Sequence, residues 1–291
     1  MVEIIKRLIR RYRVRSLREK CLKSIDLELF EALENQLEDS MRTYTYLLHE
    51  SEILEVFPNQ KNRWLTGKRY RTEDELVEAL NARRINPIQV ETLVKKARKL
   101  GGAAKYLEYG RFIDLNVARV VDLNLDRGRS KRVLDLGCGG GYFLFALELC
   151  GHKGLGVDRE TNEEGFDLEG PKVFDEIRKA LHVDSCRHTI TPEMPMPKNL
   201  GKFDMITAFN CWFDGEYSTG RQYTPWDCSQ WRRFLENMSE NIECEGRIHI
   251  ETNDKWEYAK DYYFPEDRSG LMPENKYSGK ISGCTLSLIR K

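Results

Sequence analysis

The chain has 291 residues, and its 47 Lys+Arg cancel its 47 Asp+Glu to a formal net charge of zero. Hydrophobic residues at 40% can build a core and charged residues at 32% make a polar surface. The mean hydropathy of −0.60 comes with no apolar run near the roughly 18 residues that a spanning helix requires. That length predicts one large or two modest domains. A chain disordered throughout, a collagen and an integral membrane protein are excluded, and the zero balance argues against a surface coated in bases for nucleic acid.

The charges are segregated along the chain. Residues 1–23 hold nine bases (Lys6, Arg7, Arg10, Arg11, Arg13, Arg15, Arg18, Lys20, Lys23) against Glu3 and Glu19, a net of +7. Residues 24–57 hold nine acids against Arg42 alone, a net of −8. A helix over 4–22 gathers Ile5, Leu8, Ile9 and Tyr12 with arginines around them. Such a helix suits an anionic membrane surface, where each base gains about 1 kcal/mol. It also suits RNA phosphates, or the acidic segment that follows it, the two charges cancelling within the molecule. The three readings stay open here, with nucleic acid the least favoured.

Further helices are expected through the first hundred residues. Phe30, Leu33, Leu37, Met41, Tyr44 and Leu48 step by three and four, one apolar helical face. Thr72 followed by Glu75 opens a helix near 73–83. Asn86-Pro87 caps another, which Gly101-Gly102 stops. A helix from about Ala104 to Leu123 carries Leu107, Ile113, Val117, Val120 and Val121. No strand pattern interrupts this region, so residues 1–102 read as an all-helical cap and 103–291 as the second domain.

After Gly128 the pattern changes. Short apolar strands are expected at 132–136, 154–158, 203–210 and 246–253, alternating with helices at 142–149, 171–182 and 228–243. Strands alternating with helices mean βαβ units, an α/β doubly wound and mainly parallel sheet. Ligands of such sheets sit beyond the carboxyl ends of the strands. In the helix at 228–243, Trp231, Phe234, Leu235, Met238 and Ile242 make a core stripe.

The strongest motif is Asp135-Leu-Gly137-Cys138-Gly139-Gly-Gly141, between a strand and a helix. Glycine lets the backbone turn sharply and approach a ligand with no Cβ in the way, and the helix that follows offers free N–H groups. Asp158, twenty-three residues after Asp135, ends the second strand, where a carboxylate can accept hydrogen bonds from ribose hydroxyls. A nucleoside-containing ligand fits. A dinucleotide fingerprint wants a third glycine where Tyr142 stands, and an acid two residues before the first glycine would repel a pyrophosphate. A nicotinamide oxidoreductase is disfavoured on both counts.

With VLDLGCG leading into it, this stretch resembles the signature of class I S-adenosylmethionine-dependent methyltransferases, acid-x-Gly-x-Gly-x-Gly. The resemblance covers roughly residues 103–291 and implies a Rossmann-like sheet of seven strands with helices on both faces. It implies S-adenosyl-L-methionine as cofactor, with Asp135, Gly137, Cys138, Gly139 and Gly141 at the methionine moiety, Asp158 at the ribose and Arg159 near the adenine. The acid that often meets the adenine amino group is missing from Thr189–Pro195, so the backbone of Ile190 is expected to substitute. Only Cys284–Ile289 reads as strand after 253, which predicts a shortened or irregular last hairpin.

The methyl group is expected at the carboxyl ends of the strands at 203–210 and 246–253. Asn210, Asp214 and Glu251 are the candidates there for acceptor binding or base duty, whereas His249, inside a strand, reads as a satisfied histidine. The (Asp/Asn)-Pro-Pro-(Tyr/Phe) tetrad of amino-group methylation and the Pro-Cys of cytosine chemistry are both absent. No metal is predicted, since Asp214 is the one acid just after the strand at 203–210. Eight scattered cysteines without CxxC spacing suit free thiols in a reducing cytoplasm, and the basic N-terminus lacks a secretory apolar core.

The expected activity is therefore methyl transfer to a small-molecule or glycan acceptor, at oxygen, by a cytoplasmic enzyme that can touch a membrane surface through residues 1–23. The alternatives are a catalytically silent cofactor-binding partner subunit, or a methyltransferase acting on RNA or protein.

Overall fold

The structure is a computed structural model. It describes residues 2–33, 46–48, 50–58, 69–70, 73–100, 106–107, 109–159, 170–192, 196–211, 213, 226–252, 264, 271–273 and 275–291. Two compact units divide the chain. One comprises residues 1–25, 113–166 and 181–291, and the other comprises 26–112 and 167–180.

The second unit is mainly helical, with α2 (Glu50–Val56), α3 (Glu73–Asn81), α4 (Pro87–Leu100), α7 (Gly170–Ala180) and a helical stretch at 27–33. α4 starts as its sequence dictates. The Asn86 side chain accepts from the N–H of Ile88, while Pro87 fills the first helical position, where a missing N–H costs nothing. Leu48, Ile53, Leu76, Leu80, Val90, Leu93 and Val94 form its buried core. One expectation is corrected. Tyr46–Leu47 (β1) pairs antiparallel with Arg69–Tyr70 (β2), so the region is not purely helical and the helical face read through Tyr44 and Leu48 does not reach Leu48. Residues 34–45, Thr72 and Gly101-Gly102 lie outside the described residues.

The first unit is built on a seven-stranded sheet, in the order β5-β4-β3-β6-β7-β9-β8. Its strands are β3 (Arg132–Leu136), β4 (Lys153–Asp158), β5 (Ser185–Arg187), β6 (Phe203–Cys211), β7 (Ile242–Thr252), β8 (Tyr277–Ser282) and β9 (Thr285–Arg290). The first five run parallel, and β9 pairs antiparallel with both β7 and β8. The last hairpin is therefore complete, correcting the expected truncation. β8 reads poorly because its side chains are mostly exposed and it holds Gly279, which leaves no apolar alternation to see.

α8 (Cys228–Asn241) covers one face, and the stripe Trp231, Phe234, Leu235 and Met238 packs with Leu134, Leu136, Ile206, Ala208, Ile248 and Ile250. Asp227 starts it with a capping box to Gln230, which fixes where the helix begins. On the opposite face, α5 (Tyr109–Asp122) and α6 (Tyr142–Glu148) bury Ile113, Val117, Val120, Phe143 and Leu144.

α1 (Val2–Ser24) docks on this unit through Leu17, Cys21 and the following Ile25. Arg10 makes a two-pronged bond to Asp122, at 2.6 and 2.7 Å. Arg13 does the same to Asp126, and Arg18 meets Asp114. The acids that neutralise α1 thus come from α5 and the turn after it. Among the described residues, none comes from the acidic segment 24–57.

Arg13 and Asp126 are the most enclosed of these pairs, with side chains 18% and 11% exposed. Burial alone would raise the Asp126 carboxyl, but the Arg13 guanidinium outweighs it and holds the group below its ordinary value. Arg13→Ala should cost about 1.5–3 kcal/mol at neutral pH, as for a lost charged hydrogen bond. The sign follows from the lowered acid. Its stabilisation is present above the ordinary aspartate range and fades as pH falls through the native value. Denaturant melts of both proteins should therefore draw together as pH falls from about 4 through the native value, leaving the smaller loss of the Arg13 bonds to Val121 and Asn124.

Candidate cofactor and active site

The glycine loop joins β3 to α6, and its shape explains its composition. Gly137, Gly139 and Gly141 have φ of 65°, 51° and 78°, left-handed values that penalise any residue with a Cβ. The N–H groups of Gly137 and Cys138 both donate to the carbonyl of Val157, at 2.7 and 3.2 Å, and Gly141 N–H closes the turn on the Cys138 carbonyl. The loop is thereby lashed to the end of β4. α6 is only seven residues long, so the turn itself, more than a helix end, shapes this rim.

Two cysteines pack the loop from below. A Cβ on Gly137 would fall 2.4 Å from Cys211 Sγ, and one on Gly156 would fall 2.5 Å from Cys138 Sγ. The Cys138 side chain thus points at β4, leaving only its backbone to face a ligand. The Cys211 thiol donates to the Leu136 carbonyl at 3.0 Å, and burial raises its pKa. Such a thiol stays protonated and unreactive.

Asp135 lies one turn of the pleat behind the loop, 3% exposed. Register sets Gly156, Asp135, Thr207 and His249 in one row across β4, β3, β6 and β7. Thr207 Oγ1 donates to Asp135 Oδ1 at 2.7 Å. Desolvation pushes the carboxyl up to about 7, opposed by the Thr207 bond and the nearby Arg119 charge. A buried acid left so costly to ionise has its best use beside a cation.

Asp158 ends β4, and its Oδ1 accepts from the Arg159 N–H at 3.0 Å. Ile190 follows β5 and packs partly buried against the sheet core. The loop, Asp158, Arg159 and Ile190 therefore line successive carboxyl ends of β3, β4 and β5, an arc of adjacent strands that suits an extended nucleoside-containing ligand.

The other half of the edge belongs to β6 and β7. Asn210 is exposed with φ of 55°, at a register shift between Phe209 and Cys211. This bulge breaks the ladder at the strand's end and turns Cys211 onto β3; Asn tolerates the conformation better than most residues. Glu251 sits opposite Phe209. Its Oε1 accepts from His249 Nε2 at 3.1 Å, its Oε2 lies 3.9 Å from Arg119 Nε, and the Arg119 guanidinium stacks 4.3 Å over the Phe209 ring. The hydrogen bond from His249, with help from Arg119, outweighs burial and holds the Glu251 carboxyl below its usual range.

With Glu251 ionised, His249 Nε2 carries the proton and Nδ1 accepts from Ser287 Oγ at 3.1 Å. Both ring nitrogens are engaged, so His249 orients Glu251 and is not itself a base. Asp214 lies outside the described residues. Arg119 and Thr207 escaped the sequence reading. The helical pattern around Arg119 showed only apolar residues, and Thr207 sits mid-strand like any β-branched residue. Among the described residues no group of three or more His, Cys, Asp and Glu gathers as a metal would require.

A family described as "Methyltransferase domain" matches residues 106–213, the span from α5 through the end of β6. No curated protein matches the chain. Among solved structures, a TehB-like SAM-dependent methyltransferase from Corynebacterium glutamicum is 16% identical over 65% of this chain and 97% of that one, with a TM-score of 0.40. TrmN from Thermus thermophilus is 16% identical over 60% of this chain and 49% of that one, with a TM-score of 0.40. CalS10, an amino pentose methyltransferase from Micromonospora echinaspora solved with SAM bound, is 17% identical over 58% of this chain and 57% of that one, with a TM-score of 0.35. Residues 106–213 of this chain thus match a methyltransferase-domain family, and the acid–glycine turn and the sheet order agree with the Rossmann-like, S-adenosyl-L-methionine-dependent class.

Proposed function

We propose that the chain transfers a methyl group from S-adenosyl-L-methionine to a small-molecule or glycan acceptor, at oxygen. The observation that carries this reading is the turn of three left-handed glycines backed by the buried acid Asp135. When bound, the cofactor supplies a methyl group already activated on a sulfonium. The loop backbone and Asp135 hold its methionine end, Asp158 takes the ribose hydroxyls, and Arg159 with the Ile190 backbone borders the adenine.

Asn210 and Glu251, at the ends of β6 and β7, bind the acceptor. Orienting acceptor and donor supplies most of the acceleration, since well-placed reactions gain roughly 7–11 kcal/mol in effective molarity. Glu251 Oε2, which His249 leaves available, receives the proton of an acceptor hydroxyl. Its lowered pKa keeps it ionised and ready at neutral pH but makes it a modest base, so positioning outweighs proton transfer. Oxygen is favoured because the sequence lacks the amino-group tetrad and the Pro-Cys of cytosine chemistry; Glu251 would take the proton that a hydroxyl loses.

Calorimetry with S-adenosylhomocysteine and separately with NAD tests the cofactor. Heat with the first alone is expected, and its absence would sink the reading. Asp158→Ala should weaken S-adenosylhomocysteine by at least about tenfold, the loss of a charged hydrogen-bonding partner; an unchanged affinity would show the ribose elsewhere. A mass-spectrometric screen of hydroxylated small molecules and sugars for a gain of one methylene then tests the transfer. Glu251→Gln should lower turnover by about 10²-fold or more while leaving S-adenosylhomocysteine affinity near wild type.

A further inference from the structure

Ten large hydrophobics are exposed among the described residues, and five of them lie in the first three turns of α1: Ile4 at 64%, Ile5 at 49%, Leu8 at 57%, Ile9 at 52% and Tyr12 at 74%. Their spacing puts them in two adjacent rows, Ile4–Leu8–Tyr12 and Ile5–Ile9, on one side of the helix. The opposite side is the one that docks. There Arg10 and Arg13 are spent on Asp122 and Asp126, and Leu17 and Cys21 are buried further along. A helix that served only to pack on its own unit would be turned the other way, apolar side inward and arginines outward.

The outward side also carries charge. Arg7 and Arg11 flank the Ile4–Leu8 row, both exposed, and among the described residues neither makes an ion pair. The two acids of α1 are already engaged, Glu3 by Lys6 and Glu19 by Arg15. An occupant of this face must accept an apolar stripe and supply negative charge at its border. A second copy of the helix supplies the first but sets arginine rows against each other in a symmetric pair. Nucleic acid supplies only the second.

We infer that the first three turns of α1 lie in the interface of an anionic lipid surface, with Ile4, Ile5, Leu8, Ile9 and Tyr12 in the headgroup–acyl boundary and Arg7 and Arg11 on lipid phosphates and carboxylates. The burial depth of such helices is about 5–10 Å, matching a single layer of side chains. The contact is reversible, because a few apolar side chains and two bases fall far short of an inserted span. This stands independently of the methyl-transfer reading.

Vesicle cosedimentation of the full chain tests it, with phosphatidylcholine vesicles against vesicles that also contain phosphatidylserine. The protein is expected to sediment with the anionic vesicles and far less with the neutral ones. I5S/L8S/I9S should lower that partition by roughly tenfold or more, and R7E/R11E should remove the preference for anionic lipid by at least about tenfold. Both variants alter exposed side chains, and matching thermal melts establish that they are folded. Y12W supplies a measurement that needs no loss of binding: its fluorescence should shift to the blue on anionic vesicles. A wild-type chain that stays in solution overturns the inference, as does no shift for Y12W. An I5S/L8S/I9S variant that binds like wild type also overturns it, pointing to a purely electrostatic contact. Concentration-dependent dimers abolished by that variant would assign the face to a second copy instead.

Discussion

Gly137→Ala should abolish measurable S-adenosylhomocysteine binding and destabilise the fold by about 2–5 kcal/mol. Two separate costs add. The residue sits at φ of 65°, where a Cβ costs about 1–2 kcal/mol. The new Cβ also lands 2.4 Å from Cys211 Sγ, inside a loop tied to β4 by two hydrogen bonds, and such overpacking costs about 1–3 kcal/mol. Relief of the clash displaces the turn whose backbone is proposed to hold the cofactor. The two costs separate in a double-mutant cycle. Cys211→Ala, combined with Gly137→Ala, removes the sulfur and should restore about 1–3 kcal/mol of stability while leaving the conformational strain. Equal denaturant midpoints for the single and double variants would mean that Cys211 does not press on the loop.

Asp135→Asn should move stability and binding in opposite directions. Desolvation holds the native carboxyl near 7, above an ordinary aspartate near 3.9. A raised acid contributes stability that is full below the unfolded value and is lost as pH rises through the native one. The ligand-free protein therefore gives up stability between about pH 4 and pH 7 through this group. Asparagine has no charge to bury, so at about pH 8 the variant should be more stable by about 1–3 kcal/mol, less than the full linkage because Arg119 loses a partner. Binding has the reverse sign. On the proposed reading, the ammonium and sulfonium of the cofactor select the ionised carboxylate, so affinity should climb from about pH 5 to a plateau above pH 7. Asp135→Asn should bind at least about 10²-fold more weakly with no such climb. Calorimetry across pH, beside thermal melts without ligand, reads both effects. Affinity that ignores pH in the wild type would remove Asp135 from the ligand.

The cost of Asp135 in the empty protein also explains its surroundings. Thr207 and Arg119 each favour the charged form, yet they do not bring the carboxyl back to its ordinary range. At this depth the charged form needs more than these two partners, and a cation beside it would supply the rest.

How far the chain could be read in advance depended on the range of the forces involved. The acid–glycine turn was legible because its demand is local: three left-handed residues in seven tolerate almost nothing but glycine, whatever surrounds them. The β–α alternation and the stripe of α8 were legible because each follows a short period and a one-sided burial. What the sequence could not decide were pairings between residues distant along the chain. Charge proximity pointed α1 towards the acids at 24–57, but the helix crosses α5, and Asp114, Asp122 and Asp126 take its arginines instead. β8 was missed because an exposed strand beside a turn carries no apolar alternation, and only pairing with β9 reveals it. Glu251 was a bare acid at a strand's end until His249, Ser287 and Arg119 closed around it from three elements. Local backbone chemistry thus determined the acid–glycine turn and the fold class by itself. Tertiary packing alone decided which charges are spent internally, which face of α1 is left outward, and which carboxylate is held ready, because those outcomes depend on desolvation and on partners a hundred residues away.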